Sequence, residues 1–163
     1  MKKLLFSLAL LSIVIITSCG DDEETPPIGV GGTITFDGQS YTIASGVLTQ
    51  SAITGGTQVE FFLADGTVSS SGSSSDSQII IGIRAISEGT DTLEAGTYEV
   101  SRQVTTKYAF VTVSTATVSN LQSFAEGTIA VSGSGNTYNL TFNNVSFGSG
   151  ITLTGSVSGT FGN

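Results

Sequence analysis

Beyond residue 30 the chain alternates. Apolar side chains recur at every second position in short runs, and glycine, serine and asparagine break those runs. A period of two marks a β-strand, because successive side chains leave a pleated backbone on opposite sides. No stretch after Cys19 repeats with the 3.6-residue period of a helix. The runs predict strands over 33–36, 40–44, 46–53, 57–64, 78–87, 96–102, 107–119, 128–132, 137–142, 145–147 and 151–161. Asp37-Gly38-Gln39, Gly55-Gly56 and the 133–136 stretch supply the glycines that tight hairpin turns need. The serine- and glycine-rich 65–77 stretch reads as a long loop. The expected fold is all-β, an antiparallel meander of about ten strands forming either a β-sandwich or a closed β-barrel.

The final run shows the pattern most cleanly. Ile151, Leu153, Gly155, Val157, Gly159 and Phe161 share one face, and Thr152, Thr154, Ser156, Ser158 and Thr160 share the other. Such a strand is half buried with a wet outer side. Its glycines mark bends or close backbone approach. Two central strands break this rule. In 57–64, Val59, Phe61 and Leu63 take one face, while Phe62 and Ala64 join Glu60 on the other. In 78–87, Ile79, Ile81, Ile83 and Ala85 are opposed by Ile80, Gly82, Arg84 and Ile86. A half-wet sheet has no use for Phe62, Ile80 and Ile86 on its second face. Either another segment, such as the 65–77 loop, covers them, or they form an apolar contact patch for a partner or ligand.

The first residues follow a different logic. Lys2 and Lys3 precede a largely apolar stretch, 4–16, and then Thr17 and Ser18 lead to Cys19, the one cysteine. This is the three-part layout of a secretory signal peptide over residues 1–18. The apolar stretch is well short of the roughly 20 residues that span a bilayer. Ile16-Thr17-Ser18-Cys19 resembles the lipobox of bacterial lipoproteins, which implies cleavage before Cys19 and lipid on its thiol. Each buried methylene contributes about 0.8 kcal/mol, so two or three acyl chains hold a protein to the membrane. Asp21, Asp22, Glu23 and Glu24 follow at once. That acidic run resembles the surface-export signal of Bacteroidota lipoproteins, which implies an outer-membrane protein facing the cell exterior. Thr25-Pro26-Pro27 continues a 19–29 tether, where prolines favour an extended spacer. Residues 30–163 are then one domain's worth of chain.

Three turn-plus-strand pieces carry a further resemblance: Thr35-Phe36-Asp37-Gly38-Gln39-Ser40-Tyr41, Ala95-Gly96-Thr97-Tyr98, and Leu153-Thr154-Gly155-Ser156-Val157-Ser158-Gly159-Thr160-Phe161. They look like the small β-rich lipoproteins of unknown function in Bacteroidota. The resemblance implies a surface-anchored β domain and assigns no chemistry. Asp91-Thr92-Leu93 is similar to the O-glycosylation acceptor pattern of the same group, which implies a glycan on Thr92.

Composition narrows the chemistry. With no histidine, Ser-His-Asp and Cys-His catalysis and the usual zinc sites drop out. The formal charge is −8, and once the leader's Lys2 and Lys3 are removed only Arg84, Arg102 and Lys107 remain as cations. Three scattered cations cannot displace counterions from nucleic acid. Glu60, Asp65, Glu88, Asp91, Glu94 and Glu99 are candidates by type for a catalytic acid pair, but nothing in their spacing marks one. Glu88, Asp91 and Glu94 share a loop without the full calcium-loop pattern. Tyr41, Tyr98, Tyr108 and Tyr138 are the tyrosines available to stack on a sugar; burial with a bonded hydroxyl is the commoner use of a tyrosine. The expectation is a non-enzymatic binding or structural domain, without metal or cofactor, meeting an envelope protein or glycan. The alternative is a lipocalin-like barrel around a small apolar ligand, with room left by the small inward Gly155 and Gly159.

The leader yields the first prediction. Cys19→Ala should abolish metabolic lipid labelling and release the protein from the membrane fraction. Unchanged retention of that variant would refute the lipid anchor.

Overall fold

The computed structural model describes residues 29–88, 92–101, 106–123 and 126–163. Cys19, the acidic residues Asp21, Asp22, Glu23 and Glu24, and Asp91 lie outside the described residues. Within them the fold is all-β. The strands are β1 Gly29–Phe36, β2 Gln39–Ile43, β3 Ser45–Ile53, β4 Gly56–Ala64, β5 Ile79–Glu88, β6 Gly96–Val100, β7 Lys107–Thr115, β8 Leu121–Gln122, β9 Thr128–Ser134, β10 Thr137–Ser146 and β11 Thr152–Thr160. The 137–142 and 145–147 runs join into the single strand β10. A register shift between Phe142 and Val145 interrupts its pairing with β11, and Asn144 turns there with φ of 50°.

All eleven strands belong to one sheet, in the order β2-β1-β11-β10-β9-β6-β7-β5-β4-β3, with β8 added beside β7. The meander breaks once. β5 pairs with β7 rather than β6, and β6 lies between β7 and β9. It runs parallel to β7 through Glu99↔Tyr108 and Val100↔Ala109. Alternation in the sequence tells which face a residue takes, not which strand lies beside it.

The sheet order begins at β2 and ends at β3, yet Ala44 alone separates these two strands along the chain. One bent strand therefore serves both ends of the sheet: its first part pairs with β1 and its second with β4. Backbone bonds hold the seam. Leu48 N–H donates to Gly162 O at 2.8 Å, Gly162 N–H to Gly46 O at 3.1 Å, and Ala44 N–H to Ala64 O at 3.0 Å. The sheet thus curls into a nearly closed barrel rather than a two-sheet sandwich.

The inward faces fill the barrel. Ile34, Phe61, Leu63, Ile79, Ile81, Leu140 and Leu153 are fully buried. Phe61 of β4 meets Tyr138 of β10 edge-to-face, with ring centroids 5.3 Å apart, and meets Phe161 at 5.2 Å. Such pairs add about 0.5–1.5 kcal/mol to the burial of their area. Gly155 and Gly159 also face inward, at φ of 117° and 145°. A Cβ on either would strike the β1 backbone, at Thr33 O and Gly29 O respectively. These glycines admit a close strand approach, so their small size is already used by the neighbouring strand.

Two tyrosines link the interior to pH. Tyr98 and Tyr138 are buried, and the Tyr98 hydroxyl donates to Glu94 O at 2.7 Å. Burial raises both phenols above their ordinary 10.0, although a hydrogen bond with Ser87 offsets part of the effect at Tyr98. A phenol with a higher pKa folded than unfolded contributes stability that is complete below the unfolded value and lost as pH rises through the folded one. Thermal melts should therefore show stability falling above about pH 10. The Tyr98→Phe/Tyr138→Phe double variant should flatten that fall; an unaltered slope would assign it to other groups.

Candidate functional site

On the outer side of β4, β5 and β7, the register sets side chains in rows. Phe62, Gly82 and Thr112 form one row, and Glu60, Arg84 and Phe110 form the next. Gly82 stands in the middle strand with no side chain to offer. Its place between Phe62 and Thr112 is therefore a depression floored by backbone. Glu60, Phe62, Arg84, Phe110, Thr112 and Gln122 surround it, and the groove they enclose has a volume of about 410 Å³.

Each wall has its own support. β8 brings Gln122 beside β7, and Ser123 pins it there. Ser123 N–H donates to Val111 O at 2.9 Å, while its hydroxyl accepts from Val111 N–H at 3.2 Å. Phe110 rests edge-on against Tyr108, with centroids 5.7 Å apart. Arg84 Nε donates to Glu60 Oε1 at 2.7 Å, and Gln58 Nε2 donates to the same oxygen at 3.3 Å. The two side chains are 54% and 27% exposed, so the pair contributes at most about 1 kcal/mol to stability. Its larger effect is to hold both charged heads at one edge of the groove.

The 65–77 loop leans over the opposite side. Asp65 fastens its base, its carboxylate accepting from Gln78 N–H at 2.9 Å and Ile79 N–H at 3.1 Å. Asp76 ties the two arms together, accepting from the Thr67 hydroxyl at 2.8 Å, the Ser74 hydroxyl at 2.9 Å and Thr67 N–H at 3.1 Å. These bonds, the one from the Thr67 side chain foremost, hold the Asp76 carboxyl below its usual value. The loop delivers Gly72, at φ of 73°, onto the ring of Phe62. A Cβ at Gly72 would lie only 2.6 Å from two carbons of that ring.

The 65–77 loop covers part of the second apolar face and leaves part of it open. Phe62 is half-buried, covered by Gly72 yet lining the groove. Ile80 shares the outer side and is half-buried; it pairs with Ala64 and Ser114, away from the groove lining. Ile86, beside Gln58 and Tyr108, is buried. The groove adds Glu60, Arg84, Phe110 and Gln122 to the patch. Alternation already put Glu60 with Phe62 and Gly82 with Arg84, and it sets Phe110 opposite Val111. Nothing in the sequence announced that β8 would bring Gln122 alongside.

The other candidates lie elsewhere. Tyr98, Tyr108 and Tyr138 are buried, and Tyr41 packs half-buried against the core. Thr92 is exposed. Glu94 pairs with Lys107 at 2.9 Å, and Glu88 and Glu99 are exposed. No cluster of three metal-ligating side chains occurs among the described residues. No known family, characterised protein or solved structure matches this chain.

Half burial sets the cost of removing the Phe62 ring. Phe62→Ala should lose about 0.8–1.5 kcal/mol in urea denaturation, half the value of a fully buried side chain. Phe61→Ala, inside the barrel, should lose about 3–5 kcal/mol. Equal losses would place Phe62 in the core and remove it from the groove.

Proposed function

We propose that the chain is an exported lipoprotein of the outer membrane, anchored through Cys19 and facing the cell exterior. Its barrel is a non-catalytic binding domain, and the groove over Gly82 is the surface that meets the ligand. One observation carries this reading. Phe62 and Phe110 remain half-buried around a bare glycine, while the other phenylalanines described, Phe36, Phe61, Phe142, Phe147 and Phe161, are buried in the barrel. The volume also suits a small molecule, since such sites span about 300–1,000 Å³. Glu60 is the one carboxylate in the lining, and it is already paired with Arg84. A pair of acids for glycoside hydrolysis is not assembled among the lining residues.

The lipocalin-like alternative has less support. Phe61, Tyr138 and Phe161 pack against one another inside the barrel, and Gly155 and Gly159 are taken up by strand approach.

A binding screen tests the proposal. Gly82→Leu fills the groove; the atom nearest a new Cβ is the Thr112 hydroxyl at 2.6 Å, so Thr112 must change rotamer to admit it. The mature lipoprotein in detergent and this variant should be melted with neutral saccharides, short peptides, fatty acids and small anions. A ligand at one hundred times its Kd stabilises by about 2.7 kcal/mol. At least one class should raise the melting temperature of the parent protein and leave Gly82→Leu unmoved. If no class does so, the groove is not a binding site.

A further inference from the structure

We infer that the groove over Gly82 takes the ring of a neutral carbohydrate. The inference rests on the groove being the binding site and names what fills it. Charge comes first. Glu60 and Arg84 cancel, so the lining is electrically balanced. An anion would approach a chain carrying thirteen acidic residues, and a cation would have to compete with Arg84 for Glu60. A neutral ligand meets neither obstacle.

Hydrogen bonding narrows the class. Glu60 Oε1 takes both bonds described above, which leaves Oε2 turned to other partners. Among the described residues Arg84 bonds through Nε, which leaves its two terminal nitrogens as donors. An acceptor and a donor therefore belong to neighbouring side chains of the lining. A vicinal diol answers that pair: one hydroxyl donates to the carboxylate and its neighbour accepts from the guanidinium. Gln122 can donate and accept through its amide, and the Thr112 hydroxyl lies against Gly82 O at 3.4 Å. A fatty chain would cover these groups without satisfying them, at a desolvation cost.

Shape agrees. Phe62 and Phe110 stand on β4 and β7, whose backbones run roughly 10 Å apart, on adjacent rows of the sheet. Bare backbone at Gly82 lies beside Phe62, one row along from Phe110. The C–H groups of a saturated ring suit a lining that holds phenyl rings, whose faces carry partial negative charge. A peptide bound by strand addition needs an open sheet edge. β4 and β5 each have a strand on both sides, and β7 has β5 on one side with β6 and β8 on the other. The groove is on the face of the sheet, where strand addition cannot operate.

The test titrates the mature lipoprotein with glucose, galactose, mannose, N-acetylglucosamine, maltose and cellobiose by calorimetry. Glucuronate, a tripeptide and decanoate serve as comparison ligands. At least one neutral saccharide should bind, with binding abolished in Gly82→Leu and weakened tenfold or more in Phe110→Ala and in Arg84→Gln. Arg84 is more than half exposed, so Arg84→Gln reports on contact with ligand rather than on folding. Saccharide binding that survives all three substitutions would overturn the inference. If only glucuronate, the tripeptide or decanoate binds, and Gly82→Leu removes it, the groove stands as a site but the carbohydrate assignment falls. If nothing in either set binds, both fall.

Discussion

The contact of Phe61 with Tyr138 and Phe161 across the barrel organises the rest of the molecule. Tyr138 belongs to β10 and Phe161 follows β11, so one aromatic cluster ties the β3–β4–β5 side to the strands next to the chain terminus. Once those rings occupy the centre, each strand must send its alternate side chains the other way. Under the proposed function, a ligand is met on the outside.

Two kinds of glycine thus have opposite consequences. Gly155 and Gly159 bring two backbones together and remove space. Gly82 adopts an ordinary strand conformation, and its missing side chain creates space between Phe62 and Thr112. On a face where neighbouring strands carry phenylalanine, glutamate and arginine, that gap converts a flat surface into a groove.

Much of this was legible in the sequence. Period-two alternation identified the inward sets Val59, Phe61, Leu63 and Ile79, Ile81, Ile83, and all are buried. It also singled out Phe62 as a residue with no place on a wet face, and Phe62 lines the groove. The remainder depended on neighbours that periodicity cannot specify. The parallel β6–β7 pair, the two-residue β8 and the closure at Ala44 follow from three-dimensional register. So does the Glu60–Arg84 pair, which exists because β4 and β5 align at that one position. Ile80 and Ile86, chosen with Phe62 for their apolarity, lie on the same side but outside the lining, since Gly82 alone sets where the depression falls. The leader and acidic run were read from sequence pattern, and they concern residues outside the described fold.

The account makes the outer face of β4, β5 and β7 the working surface and the barrel interior its support. Aromatic side-chain NMR separates the two directly, since phenylalanine rings stand on both sides of the same strand. On saturation with a bound saccharide, the ring resonances of Phe62 and Phe110 should shift while those of Phe61, Tyr138 and Phe161 hold their positions. Shifts concentrated on Phe61, Tyr138 and Phe161, with Phe62 and Phe110 unmoved, would place the ligand inside the barrel and contradict the account.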